Sequence, residues 1–466
     1  SSDETWAVAD SPFVITGNVL VGTGATLTID SGVTVKFQDG HALQVQGTLI
    51  AKGTSSNQIT FTSSNSSPSA GDWDNIQFFD ASIDADFGGA TSTSANYTSG
   101  SILEYVIVEY GGDGNDGAIT IDSAAPLISN VTSRYNSGPG INIDSAPSSF
   151  TITDSTFTNN GTGIQFEWCL GNTGATINIS ENTVTYNTGP GIQNNCRMEL
   201  TIASSTISYN GSGVSLSKGY VIGNTITYNS GSGITLSSGY GTPHDIRNNT
   251  ILGNSTSGNG GGINLRLYRK STVSGNVISG NTASGYGGGI YLWANENGGI
   301  QPVDFSNNII SGNQAANGAG IYHIIDEGHQ ASAQIPVTFE NNTITQNLSS
   351  QSESGAIWLE APHAILNSNN IFGNDTTYEL YDNRGIGAAD LDGENNWWGT
   401  TDQATIQAQI YDWSDDGTKQ LVDYSPFLTT PDTSTPPSPP DNVAAQTGPT
   451  SIALSWSANP ESDIAG

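Results

Sequence analysis

The residues best suited to chemistry lie in the second half of the chain. Short strands of the form Gly-Ile-x recur along the sequence. The residue after the Ile position changes from small and polar (Asn142, Gln165, Gln193, Ser215, Thr235, Asn264) to aromatic (Tyr291, Tyr322, Trp358). Trp293 stands two residues beyond Tyr291, on the same side of an extended chain. Strands stacked ~4.8 Å apart would turn Tyr291, Trp293, Tyr322 and Trp358 into a flat platform for sugar rings or a partner surface. The alternative is that loops simply pack over these rings. Glu296, Asp326, Glu327, His329, Glu360 and His363 follow these strands. They could bind hydroxyls, or supply the paired acid and base of glycoside chemistry.

Three further sets carry chemical potential. Arg197, Lys218, Arg247, Arg266, Arg269 and Lys270 crowd into one stretch of a chain with only 11 basic residues. With Tyr240 and His244 nearby, they could form a cationic notch for an acidic sugar. Ordinary salt bridging in an acidic protein is the competing explanation. Asp113, Asn115 and Asp116, and likewise Asp412, Asp415 and Asp416, form oxygen-rich turns that could hold calcium, although solvated turns look the same. No cofactor is required. Cys169 follows Ile164 by five residues and Cys196 follows Ile192 by four, in consecutive turns. Adjacent rungs lie within the Cα separation a disulfide tolerates. Such a bridge would stabilise by ~3–4 kcal/mol on the chain-entropy model. Two buried free thiols are the other reading.

The elements that must position these groups are repeats. One half-repeat is an Asn-Thr-Ile-like strand closing on Asn, as in ENTVTYN (181–187), GNVISGN (275–281) and NNTITQN (341–347). The other is the Gly-Ile strand, as in GSGITL (231–236) and GGIYL (288–292). Closing Asn residues recur between 19 residues apart (Asn210 to Asn229) and 34 apart (Asn313 to Asn347). Such a period, with β-branched strands punctuated by Gly and Asn, is one turn of a β-solenoid. Asn suits the corners because it tolerates left-handed backbone and can hydrogen-bond along the stack. The pattern predicts a coil over residues 14–375, with a loop over 63–100 and a cap over 376–428. The cap includes a helix over 400–410, N-capped by Thr401 or Asp402, and packing roles for Trp397 and Trp398. PDTSTPPSPP (431–440) reads as a stiff linker, and the segment after it as two strands.

Composition sets the outer bounds. Charged residues are 12% of 466, with 43 acidic against 11 basic and a net charge of −32. Nucleic acid is excluded as a partner, because phosphate contacts need clustered Lys and Arg. No stretch approaches the ~20 apolar residues that insert into a membrane. Acidity of this kind suits a soluble extracellular protein.

GATLTIDSGVTVKF, LQVQGTLIAKGT, the Asn and Gly-Ile repeats and the closing NNWWGTTD together resemble right-handed parallel β-helix repeat proteins of the pectate-lyase-like superfamily, over residues 1 to about 430. The last 26 residues, 441–466, resemble the start of a fibronectin type III domain, with Trp456 as its core tryptophan. The resemblance implies an all-β fold, a right-handed parallel β-helix followed by the first strands of a β-sandwich. It also implies a large multidomain polypeptide that is secreted, extracellular or on the cell surface. The superfamily holds polysaccharide lyases, uronate epimerases and glycosidases beside non-catalytic adhesins, so fold alone does not choose. Tyr240-Gly-Thr-Pro-His244-Asp245 resembles the Tyr-Gly-x-Asp-Pro-His motif of mannuronan epimerases, one residue shorter and lacking the Asp before Pro. Candidate catalytic residues under the enzyme reading are Tyr240, His244, Arg266, His329 and Glu360. The favoured reading is a rigid, non-catalytic module acting in adhesion, extracellular structure or glycan binding. Its partners would be a polysaccharide, a surface glycan or another extracellular protein. A carbohydrate-active enzyme is the alternative.

Overall fold

The computed structural model describes residues 2–466 apart from 113–115, 146–148, 168–175, 197, 238–243, 268–270, 295–302, 326–336, 350, 362–363, 387–388, 441–443, 448–451 and 458–466. The chain divides into two compact units, 1–237 and 238–466. Both are parallel β-coils. Each full turn of the first unit gives one strand to each of three parallel sheets, A, B and C, which begin at Glu4–Trp6, Phe13–Ile15 and Val19–Val21. In the second unit the sheets begin at His244–Arg247, Thr250–Leu252 and Ile263–Leu267. A short fourth sheet is added there, through Ser255–Thr256, Thr282–Ala283, Gln314–Ala315 and Leu348–Ser349. Among the described residues no helix is long and apolar enough to cross a membrane.

The repeated Ile and Val residues form the interior columns. Ile164, Ile192, Val214 and Ile234 stand in register in the first unit. Ile263, Ile290, Ile321, Ile357, Leu380 and Ile410 do so in the second, each with none of its surface exposed. Each such side chain contributes about 1.5–3 kcal/mol by leaving water. The glycine before each Ile has a steric cause. A Cβ on Gly213 would lie 2.1 Å from the carbonyl oxygen of Gly233 on the next turn.

Two adjacent residues share the work assigned to the corner Asn. The closing Asn is buried and in line with its counterparts on neighbouring turns. Asn281 Oδ1 accepts the backbone N–H of Asn254 (3.0 Å) and its side-chain amide (3.0 Å), and Asn281 Nδ2 donates to Asn313 Oδ1 (3.0 Å). A second ladder runs through Asn249, Asn276, Asn308, Asn342, Asn369 and Asn396. The left-handed backbone belongs to the residue before each of these, including Asn307 (φ 56°), Asn341 (φ 56°) and Gly280 (φ 62°). A single Asn therefore does not serve both purposes, because the ladder geometry needs its side chain pointing inward.

The coil exceeds its expected limits. Strand Ile76–Phe78 interrupts the stretch expected as loop, and Trp73 beside it is buried, stacked on Phe37 at 4.2 Å. The stretch expected as cap carries further turns: Tyr378–Asp382, Leu391–Asp392, Ile410–Tyr411 and Val422–Asp423 continue sheets C and A. These strands lack the Gly-Ile marker, which is why periodicity misses them, although Asn396 continues a ladder there. Helix α1, Gln403–Ala408, has Asp402 as its N-cap, whose side chain accepts from Thr405 N–H at 3.1 Å. Trp398 is fully buried. Part of the expected linker lies against the coil: Asp432 N–H donates to Asn370 Oδ1 (2.8 Å) and Asn370 Nδ2 to the Asp432 carbonyl (3.1 Å). Beyond it, Ala444–Thr447 and Ile452–Ser455 pair antiparallel. Trp456 is 59% exposed, since a two-stranded hairpin offers no second layer to bury it.

Candidate functional site

Sheet C of the second unit builds the aromatic column. Its in-register pairs run Asn264–Tyr291–Tyr322–Trp358–Tyr381–Tyr411. Inward Ile and Leu alternate with these outward positions, so the pleat alone puts the rings on one face. Trp293 lies on the same face, in register with Arg266 and Ile324. Tyr381 and Tyr411 extend the column beyond the residues singled out by sequence.

The rings do not make an open platform. They turn their faces toward one another: Trp358 and Tyr381 are 3.9 Å apart and 3° from parallel, and Tyr381 and Tyr411 are 4.1 Å apart. Tyr322, Trp358 and Tyr381 keep only 5%, 8% and 6% of their surface exposed. A ring stacked on both sides has no face left for a sugar. The platform expected at Tyr322 and Trp358 is therefore a packed seam. Its open end is the Tyr291–Trp293 edge, where both rings are half-buried. There the exposed Arg266 guanidinium lies 5.7 Å from the Trp293 ring centroid, within cation–π range.

Glu360 ties the seam together. One of its oxygens, Oε1, accepts from Tyr322 O–H (2.9 Å), Trp358 Nε1–H (2.9 Å) and Asn383 Nδ2–H (3.2 Å). Asn383 in turn accepts from Lys419 Nζ at 2.6 Å. Burial, reinforced by the Glu360 charge and its hydrogen bond, pushes the Tyr322 phenol above its ordinary value. Burial also raises Tyr291, with Arg266 and Asn259 pulling the other way. Neither phenol is poised to ionise near neutrality.

The remaining candidates separate. His244 occupies an inward position of strand His244–Arg247 and is 2% exposed. The catalytic candidate His244 thus stands inside the coil, where the sequence reading expected a surface position. Its neighbour Asp245 points outward and pairs with Arg247 at 2.5 Å, and Lys218 pairs with Glu199 at 3.1 Å. The described members of the cationic stretch are thus held in local pairs or over a ring. Asp412 is fully buried. Its carboxylate accepts from Ser414 N–H (2.8 Å) and Val422 N–H (3.1 Å), while Asp416 accepts from Thr418 N–H (2.9 Å). These N–H donors lock the turns of the run. Asp116 is exposed. Cys196 is 7% exposed, and there is no free cysteine among the described residues. Tyr240, His329, Asp113, Asn115 and Cys169 lie outside the described residues, as do Arg197, Arg269, Lys270, Glu296, Asp326, Glu327 and His363.

Four buried ionisable residues near the seam, His323, Glu379, Asp382 and Arg384, carry no signal in the sequence. His323 sits inward beneath Tyr322 and is 1% exposed. Burial, with the Arg384 charge second, lowers it to about 3. Glu379 terminates an Asn ladder, accepting from Asn374 Nδ2 at 2.5 Å, and burial pushes its carboxyl up to about 7. Asp382 and Arg384 form a buried two-point ion pair at 2.7 and 2.8 Å. Inward polar residues of this kind break no outward pattern, so spacing alone does not flag them.

A second aromatic column belongs to the first unit. Tyr186, Tyr209 and Tyr228 each immediately precede a closing Asn, at the corner after sheet B. The recurrence of Tyr in TVTYN, TISYN and TITYN is the sequence signal for it.

Comparisons with known proteins bear on the fold. The model of the right-handed β-helix region matches residues 95–251 and again 194–371, and that of the pectate-lyase-like β-helix domain matches residues 2–143. Among solved structures, the chain is similar to a mutant of the periplasmic alginate epimerase AlgG. The two share 12% identity over 91% of this chain and 84% of that one, with a TM-score of 0.35. No curated protein matches the chain in sequence.

Proposed function

This chain belongs to the right-handed β-helix family, and on that footing we propose that it is a rigid, non-catalytic module of a secreted or cell-surface protein that contacts glycans. The Tyr291–Trp293–Arg266 edge is the contact. The observation that carries this reading is the placement of Arg266 over Trp293 at the open end of an otherwise closed seam. A guanidinium beside an aromatic ring combines a carboxylate-binding fork with an apolar surface, which suits an acidic sugar. Supporting the non-catalytic part, Glu360 is engaged by three donors of the seam, and His244 and His323 face the interior.

Two further elements complete the reading. A Cys169–Cys196 bridge fits an oxidising compartment outside the cell. The paired strands Ala444–Thr447 and Ile452–Ser455 fit a fibronectin type III-like module, joined through a segment docked on the coil. The test is retention of the chain on immobilised polyuronate and neutral glycans. Binding that falls on Trp293→Ala or Arg266→Ala, with the melting temperature unchanged, supports the edge. Unaltered binding in both variants overturns it.

A further inference from the structure

In the first unit Tyr186, Tyr209 and Tyr228 follow directly on the sheet B strands Thr183–Thr185, Thr206–Ser208 and Thr225–Thr227. Those strands stand in register, Thr185 with Ser208 and Ser208 with Thr227. Tyr186 and Tyr209 are 5.0 Å apart and 4° from parallel. Tyr209 and Tyr228 are 5.5 Å apart and 14° from parallel. Rings side by side in one plane cannot come so close, and squarely stacked rings come closer. These rings therefore overlap like shingles and leave a strip of each face open. Their exposures agree, at 56%, 49% and 50%. The seam of the second unit differs on both counts, being stacked at 3.9 Å and almost fully closed.

The backbone adds an independent sign. The three tyrosines hold φ of 56°, 57° and 55°, the left-handed region. That conformation costs a residue with a Cβ about 1–2 kcal/mol. The same corner of the second unit has Gly253, Gly280, Gly312 and Gly373, with Gln346 (φ 59°) the one side chain among them. Three bulky residues are thus kept in a strained conformation that Gly would relax, with their rings half in water. Strain of this kind points to a role outside the fold. The flanking side chains specify the partner. Thr183, Thr206 and Thr225 are exposed on one side, with Thr188 and Ser230 on the other. No charged residue stands in the stripe, in a chain of net charge −32.

We propose that the Tyr186–Tyr209–Tyr228 column binds a neutral polysaccharide. Its sugar rings lie with their C–H faces on the open strips, and their hydroxyls bond to the flanking Thr and Ser hydroxyls. One tyrosine per rung, ~4.8 Å, also matches the length of one pyranose in an extended polymer. The site is separate from the Arg266–Trp293 edge and stands whether or not that edge binds.

The test is affinity electrophoresis of the full chain through gels containing soluble β-glucan, xylan or galactomannan, with polygalacturonate as the charged control. At least one neutral polymer retards the chain. Tyr209→Gly weakens that retardation about tenfold, while the melting temperature holds or rises because Gly relaxes the left-handed backbone. Tyr209→Phe keeps the ring and most of the binding. Three results each overturn the proposal. The first is no retardation of the unaltered chain by any neutral polymer. The second is unchanged retardation of the triple Gly variant. The third is a Tyr209→Gly variant that loses stability but keeps its binding.

Discussion

Asn307 and Asn308 are chemically identical neighbours, and the structure assigns them opposite consequences when mutated. Asn308 is fully buried. Its Oδ1 accepts from Asn276 N–H (3.0 Å) and Asn276 Nδ2 (2.9 Å), and its Nδ2 donates to the Val273 carbonyl (2.8 Å) and to Asn342 Oδ1 (2.9 Å). Asn308→Ala leaves the Asn276 N–H and the Val273 carbonyl without these partners inside the coil. At about 1–3 kcal/mol for each buried group left unsatisfied, the expected loss is about 4 kcal/mol. Asn307 is exposed, with φ of 56°. Asn307→Gly suits that backbone and should change stability by no more than about 0.5 kcal/mol. Urea unfolding followed by circular dichroism measures both. Because repeat coils can open locally, hydrogen exchange at the Asn276 amide supplies a site-specific reading, and protection there should fall only in Asn308→Ala. Equal losses in the two variants would refute the division between ladder and corner.

The same reasoning gives three further expectations. The raised carboxyl of Glu379 binds its proton more tightly in the folded chain than its ordinary value of 4.5 allows, so its contribution is full below about pH 4.5 and is lost as pH rises through about 7. That loss is about 3 kcal/mol, and Glu379→Gln should flatten the slope of stability against pH in this window. A wild-type slope that survives the substitution would place the titration elsewhere. Trp358→Ala empties a stacked, buried position and should cost about 3–5 kcal/mol, visible as a lowered melting temperature, whereas Trp293→Ala at the open edge should leave that temperature unchanged. Thiol titration of the denatured, unreduced chain should find no free thiol; two would exclude the Cys169–Cys196 bridge.

Register was legible from sequence wherever a local marker carried it. Gly-Ile marks the strand of sheet C on successive turns, so the column from Asn264 through Tyr291 and Tyr322 to Trp358 is readable in the sequence. The marker fails at Tyr381 and Tyr411, whose strands read YELYD and IY, so it ends the column too early. Ring orientation was not legible at all. Spacing places Tyr322 and Trp358 on one face, but side-chain torsions decide whether they face solvent or each other, and no spacing encodes those. The placement of His244 is illegible for a related reason: its polarity suggests a surface, while the pleat of sheet A sends it inward beside Ile246. Repeated Asn residues announced the ladders, yet which of two consecutive asparagines points inward depends on backbone angles.

Binding without turnover is tested most directly by incubating the full chain with polyuronates and neutral glycans and following both unsaturated products by ultraviolet absorbance and new reducing ends. The expected result is retention of polymer with neither signal rising above the blank. Product formation that disappears on Glu360→Gln or Arg266→Ala would contradict it and make the coil an enzyme.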